Sequence, residues 1–155
     1  MSQVRAVPEG MHMITPHIVV RDAMAASEWY QRAFGAQERD RLPLPGGKVM
    51  YVEVRFGDSS VMVADEFPDL GVLSPLSIGG TAVVLHMFTD DVETAWQRAV
   101  QAGAGVLSPL QEQFWGDLHG QLLDPFGHKW GLAQHIRDVS RDELAAAAAA
   151  ALAGA

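Results

Sequence analysis

The chain reads as short blocks of apolar spacing cut by glycine- and proline-rich turns. Ile14 to Val20 carries β-branched bulk and predicts a strand. Asp22 then precedes helical spacing over Ala23 to Phe34, which Gly35 stops. Gln37 to Leu44 predicts a second strand, closed by the Pro45-Gly46-Gly47 turn. Val49 to Phe56 alternates, with Met50, Val52, Val54 and Phe56 on one side and Tyr51, Glu53 and Arg55 on the other. Gly57-Asp58 turns the chain into a further strand over Val61 to Asp65, a hairpin. Phe67 to Gly80 is rich in proline and glycine and predicts a connector.

The order then restarts. Thr81 to Thr89 predicts a strand, Asp90-Asp91 a cap, Val92 to Ala102 a helix and Gly103 its stop. Val106 to Phe114 predicts a strand in which Pro109 marks an edge or bulge. Gly120 to Leu123 and Lys129 to His135 complete the set around Asp124-Pro125-Phe126-Gly127. The pattern is βαβββ twice. Asp22 and Asp91 stand 69 residues apart, as do His17 and His86; Gly35-Ala36 and Gly103-Ala104 repeat at 68, and Phe56-Gly57 and Phe126-Gly127 at 70. A common offset indicates internal duplication. One helix covers only one face of each small sheet, so the other face is left for a second copy or a ligand.

Composition narrows the classes. The 155 residues fit one domain, and 48% are hydrophobic, a figure inflated by nine alanines among the last eleven residues. Without that tail the fraction is about 45%, ordinary for a globular chain. The absence of cysteine excludes disulfide scaffolds, thiol catalysis and thiolate metal sites. A net charge of −8 and a pI near 5.0 argue against nucleic-acid binding. No long apolar run predicts a membrane span, and Met1 to Glu9 lacks a signal-peptide core, so no membrane partner and a cytoplasmic location are expected. No nucleophile elbow, phosphate loop or dinucleotide fingerprint occurs.

Two βαβββ modules resemble the vicinal oxygen chelate superfamily of glyoxalases, extradiol dioxygenases and fosfomycin- and bleomycin-resistance proteins. Phe114-Trp115-Gly116-Asp117, Asp124-Pro125-Phe126-Gly127-His128-Lys129-Trp130, His135 and Asp138-Val139-Ser140 are similar to its PhnB-like glyoxalase branch. So are Ile14-Thr15-Pro16 and Trp29-Tyr30-Gln31-Arg32-Ala33-Phe34-Gly35-Ala36. The resemblance implies an α+β fold whose two modules form a curved mixed sheet around a cleft. It places a single domain at 12–137, with module one at 12–67, a connector at 68–80 and module two at 81–137. A leader occupies 1–11 and an alanine-rich tail 138–155; in the tail Ser140 caps a helix from Arg141 onward. The resemblance further implies a homodimer. The branch usually carries arginine after Trp-Gly-Asp, where Leu118 stands here, which removes the anion-binding role of that arginine.

In metal-using members the resemblance places ligands seven residues before each helix-opening aspartate and four past the hairpin glycine. Here those positions are Thr15, Val84, Gly131 and, by the repeat, Met62. None supplies an imidazole or carboxylate for a divalent metal. His17 and His86 lie two residues farther along the same strand faces, and Glu66 and His135 four beyond the missing last-strand ligands. They form an alternative, displaced metal set, although four residues along a strand is about 13 Å.

Glu53 is either a general base in an apolar cleft or a solvated partner of Arg55. Trp115 is placed to stack on a ligand, with Phe88 and Phe114 similar in type. Trp29, Trp96 and Trp130 are expected to pack helix against sheet. Asp117 and His119 fall in a glycine-bounded loop, Gly116 to Gly120, where turn formation competes with acid–base work. The favoured expectation is a small-molecule-binding protein without cofactor, its ligand lined by His17, Glu53, His86, Phe88 and Trp115. The alternative is a metal-dependent lyase or dioxygenase-like enzyme, and a third reading is an inert dimer.

Overall fold

The computed structural model describes residues 3–155, so the first two residues of the predicted leader lie outside it. The chain divides into two compact units, one ending at Ala82 and the other starting at Val83. The first holds β1 (His17–Val20), α1 (Ala23–Phe34), β2 (Gln37–Pro43), β3 (Val49–Phe56) and β4 (Ser59–Asp65). A 3-10 turn at Pro68–Leu70 and the short α2 (Pro75–Ile78) follow, so the connector is not wholly irregular. The second holds β5 (Val84–Phe88), α3 (Val92–Gln101), β6 (Gly105–Glu112), β7 (Asp117–Leu123), β8 (Lys129–His135) and α4 (Arg141–Ala153). Strand orders are β1-β4-β3-β2 and β5-β8-β7-β6, with the first pair of each sheet parallel and the rest antiparallel. The α+β architecture is thus two four-stranded mixed sheets, each a βαβββ module. No helix among the described residues is long and apolar enough to cross a membrane.

The duplication extends to register. His17 pairs with Met62 in the first sheet and His86 with Gly131 in the second, both partners shifted by 69. Asp22 and Asp91 cap their helices by accepting the amides of Ala25 and Thr94 at 3.0 and 3.1 Å. A further equivalence has no echo in residue type. Asp65 accepts the first helical amide, that of Ala23, at 2.7 Å, and Gln134 accepts that of Val92 at 3.1 Å. Of the four sequence coincidences, the Phe-Gly pair does not mark equivalent places. Phe56 ends β3 and pairs with Ser59, whereas Phe126 lies inside the longer turn between Leu123 and Lys129.

Each sheet keeps one face for its helix. Val52, Val54 and Val63 are buried toward α1, whose Tyr30 packs on Phe56 with ring centroids 5.7 Å apart. Met50, placed with that set by alternation, is exposed, and Val49 is buried instead. The pairing of β2 and β3 slips next to it, between Leu42 and Pro43. Trp29 and Trp130 are buried as expected, Trp130 donating its indole N–H to Asp124 at 2.8 Å. The ring of Trp96 lies on Gly120, where a Cβ would approach it to 2.5 Å.

Six predicted strands change length, that at Gln37–Leu44 by one residue to Gln37–Pro43 and that at Val61–Asp65 by two to Ser59–Asp65. The strand predicted from Ile14 begins at His17, because Thr15 bonds its hydroxyl to the His12 carbonyl at 2.9 Å and folds that stretch into a local turn. The strand predicted at Thr81–Thr89 is Val84–Phe88, and that predicted at Val106–Phe114 is Gly105–Glu112. The largest change is β7, which begins at Asp117 and absorbs most of the predicted Gly116–Gly120 loop. Seven consecutive pairings with β8, from Asp117–His135 to Leu123–Lys129, hold it as a strand.

Candidate functional site

Because β7 is a strand, its residues alternate between faces. Gly120 lies under Trp96 of α3, so Leu118, Gly120 and Leu122 take the helix side and Asp117, His119 and Gln121 the other. Leu118, standing where the branch carries arginine, therefore lies on the opposite face from His119.

The face away from α3 carries a continuous line of rings. Phe88 and His86, two apart on β5, meet edge to face at 4.7 Å. His86 stacks on His119 at 5.3 Å and 17°. His119 meets Trp115 at 5.6 Å, and Trp115 meets Phe114 at 5.0 Å. The two imidazoles close over Gly131 of β8. A Cβ there would stand 2.8 Å from His86 Nδ1 and 3.2 Å from His119 Nε2. The glycine is what lets rings from β5 and β7 meet across the strand between them. His119 is only 8% exposed, and its burial holds its pKa below the ordinary imidazole value. The neighbouring His86 adds to that shift and the Asp117 carboxylate opposes it.

A polar chain adjoins the rings. The Trp115 indole N–H donates to Asp117 Oδ2 at 3.1 Å, and Asp117 Oδ1 meets His135 Nδ1 at 2.8 Å. His135 Nε2 meets Asp138 Oδ1, also at 2.8 Å. Bonds to Asp138 and then Asp117 favour the charged imidazole and raise the His135 pKa. His135 also lines a shallow, open depression of about 420 Å³ with Phe88, Thr89, Asp90 and Gln134.

Of the predicted ligand-lining residues, the second unit joins His86, Phe88 and Trp115 through His119, which had been assigned to a loop. The signal that would have found it is the alternation of Asp117, His119 and Gln121 with Leu118, Gly120 and Leu122 opposite the strand at Lys129–His135. In the first unit, His17 and Glu53 both register with Met62, one from each side. Glu53 accepts the Ser60 hydroxyl at 2.8 Å. Arg55 does not pair with Glu53 directly; its guanidinium bonds Ser60 at 3.3 Å and the carbonyls of Gly10, Gly57 and Asp58.

The matches to known proteins agree with the fold. Residues 10–132 match the family model described as the Glyoxalase/Bleomycin resistance protein/Dioxygenase superfamily. The chain belongs to this superfamily. The uncharacterized protein Rv0887c of Mycobacterium tuberculosis is 42% identical over 137 residues, 86% of this chain and 81% of the relative. Among solved structures, TioX from Micromonospora sp. ML1 aligns with a TM-score of 0.64 and 25% identity over 81% of this chain and 99% of that one. TnmS3, an antibiotic binding protein from Streptomyces sp. CB03234, aligns at 0.61 and 23% over 85% and 99%. The PhnB protein from Bacillus cereus shares the fold at 0.61 and 18% over 79% and 99%.

The superfamily's metal does not fit the residues present. At its last-strand positions stand Met62 and Gly131, and the space beside Gly131 is taken by two imidazole edges. Among the described residues no group of three or more His, Asp or Glu is arranged to hold a metal ion. The displaced set is not assembled within either unit. In the first, the Glu66 carboxylate accepts the Ser74 amide at 2.7 Å; in the second, both ring nitrogens of His135 face carboxylates.

Proposed function

We propose that this protein binds a small aromatic ligand on the face of its second sheet away from α3, without a metal cofactor. The observation that carries this reading is the ring line Phe88–His86–His119–Trp115–Phe114 closed over Gly131. Rings set edge to face and stacked offer both flat and edge contacts to another ring, worth about 0.5–1.5 kcal/mol per pair beyond buried area. Phe88 is 66% exposed, so an apolar surface stands ready to be covered. His119 is mostly buried and its depressed pKa favours a neutral imidazole, which offers one donor and one acceptor to orient a polar substituent. The acidic balance of the chain favours a neutral or cationic ligand over an anion. TnmS3, described as antibiotic binding, is an example of this fold used for binding.

Within the second unit, a metal-dependent lyase or dioxygenase-like activity would have to rest on His86 and His119, two donors where such sites use three protein ligands or more. A panel of naphthols, quinolines and flavones screened by thermal shift tests the binding reading. At least one member should raise the melting temperature in proportion to the logarithm of its concentration. No stabilisation across the panel contradicts the proposal. Stoichiometric metal that is lost in both His86→Ala and His119→Ala would replace it with the enzyme reading.

A further inference from the structure

Trp115, like Phe114 beside it, stands on the turn between β6 and β7 and not on a strand. Turns are the mobile parts of a fold, so its position needs a separate cause. That cause lies in the residues leaving β8. The Gly116 carbonyl accepts the amides of both Ile136 and Arg137, at 2.9 and 3.1 Å. Gly116 has φ +98°, and a Cβ there would run into the Arg137 carbonyl, so the turn touches the outgoing chain backbone to backbone. Within the turn, Gln113 donates its amide to the Asp117 carbonyl at 2.8 Å and Gly116 to that of Gln113 at 3.1 Å. Asp117 then ties the turn's side chain to the same outgoing segment. One oxygen takes the Trp115 indole, and the other meets His135, which is held in turn by Asp138. Arg137 reaches Glu112, at the end of β6, at 3.4 Å. Apart from the two bonds inside the turn, this group joins the turn and the end of β6 to residues 135–138, directly or through Asp117.

We propose that Asp117 and His135 are positioning residues, which with the backbone of residues 136–137 hold the Trp115 ring against His119. Rested on the ring-line reading, this makes ligand affinity depend on residues that touch no ligand. The two oxygens of Asp117 have separate tasks. With only Oδ2 engaged the carboxylate can rotate; His135 on Oδ1 fixes its plane and so fixes the indole edge.

The test reads the ligand-free protein by NMR, so its outcome does not depend on whether a ligand is found. Wild-type protein should give a dispersed Trp115 indole N–H resonance and cross-relaxation between the Trp115 and His119 rings. Asp117→Ala should move that resonance to the position of a free indole and remove the ring-to-ring signal. Asp117→Asn, which keeps an oxygen for the indole, should restore most of it. His135→Ala, at an exposed ring that leaves Asp117 in place, should weaken the ring-to-ring signal several-fold and serves if Asp117→Ala does not fold. In all three altered proteins the Trp130 indole, bonded to Asp124 on the other face, should stay unmoved. An unchanged Trp115 resonance and ring contact in Asp117→Ala and His135→Ala overturns the proposal. So does equal movement of the Trp115 and Trp130 signals, which would mean general loosening of the sheet.

Discussion

The two units share strand order, helix position and the 69-residue register, yet the faces away from their helices differ in chemistry. At the matched centre of each sheet the first unit has His17 beside Met62 and the second His86 beside Gly131. Met62 occupies its own place, whereas the missing side chain at Gly131 is covered by imidazoles from the strands on either side. At the matched strand ends, Val49 and Glu66 correspond to Asp117 and His135, an ion-pairing couple that only the second unit has. The frame is thus common property of the duplication, and the ring line is a local departure made possible by one glycine. A duplicated fold keeps its capping and register in both copies, while chemistry collects where one copy gives up a side chain.

The frame itself is not equally strong in the two copies. Asp65 is buried and accepts two buried amides, those of Ala23 and Val49, each at 2.7 Å, whereas Gln134 accepts only that of Val92. Asp65→Ala should therefore cost about 3–5 kcal/mol by stranding two buried donors, and Gln134→Ala about 1 kcal/mol. Urea unfolding of both variants checks the contrast. Equal losses would mean that the two caps are interchangeable, against the geometry.

Substitution at the matched centre separates frame from chemistry. Gly131→Ala brings a Cβ to 2.8 Å from His86 Nδ1, and the exposed His86 ring can swing aside. Stability should change by less than about 1 kcal/mol. Affinity for an aromatic binder should fall about tenfold, as the stack with His119 is broken. Met62→Ala in the first unit should leave that affinity within about twofold. Calorimetric titration beside denaturant unfolding measures both, and a Gly131→Ala protein with full affinity would remove the glycine from the account.

How much of this was legible in the sequence follows from what each signal depends on. Helices α1, α3 and α4 and the repeat could be read because capping residues, glycine stops and a fixed offset are local patterns, whereas the short α2 fell inside the expected connector. The role of Asp65 could not, since an aspartate at a strand end looks like any solvated carboxylate until the chain brings Ala23 and Val49 to it. His119 was missed for a related reason. Gly116 and Gly120 bracket it like turn residues, but Gly116 is a close approach to Arg137 and Gly120 makes room for Trp96. Glycine marks both turns and contacts between layers, and only the tertiary fold tells them apart.

The smallest expected effect is on the pH dependence of stability, where two histidines of the second unit pull in opposite directions. His135 has its folded pKa raised by Asp138 and Asp117. Its contribution is full below the ordinary value of about 6.5 and is lost as pH rises through the folded value. His119 has its folded pKa lowered by burial, so its contribution is present above about 6.5 and is lost as pH falls through the folded value. Melting temperatures between pH 5 and 8.5 should lose part of their alkaline decline in His135→Asn and part of their acid decline in His119→Gln. The same slope change in both variants would contradict the assignment of opposite shifts.

The claim that binding belongs to the second unit's ring line is tested most directly by comparing four variants on one compound, the strongest stabiliser from the aromatic panel. Dissociation constants should rise tenfold or more, about 1.4 kcal/mol, in Trp115→Ala and His119→Ala. They should stay within about twofold in His17→Ala and Glu53→Gln. Losses in the His17 and Glu53 variants with Trp115→Ala and His119→Ala unaffected would place the ligand on the first unit and contradict the account.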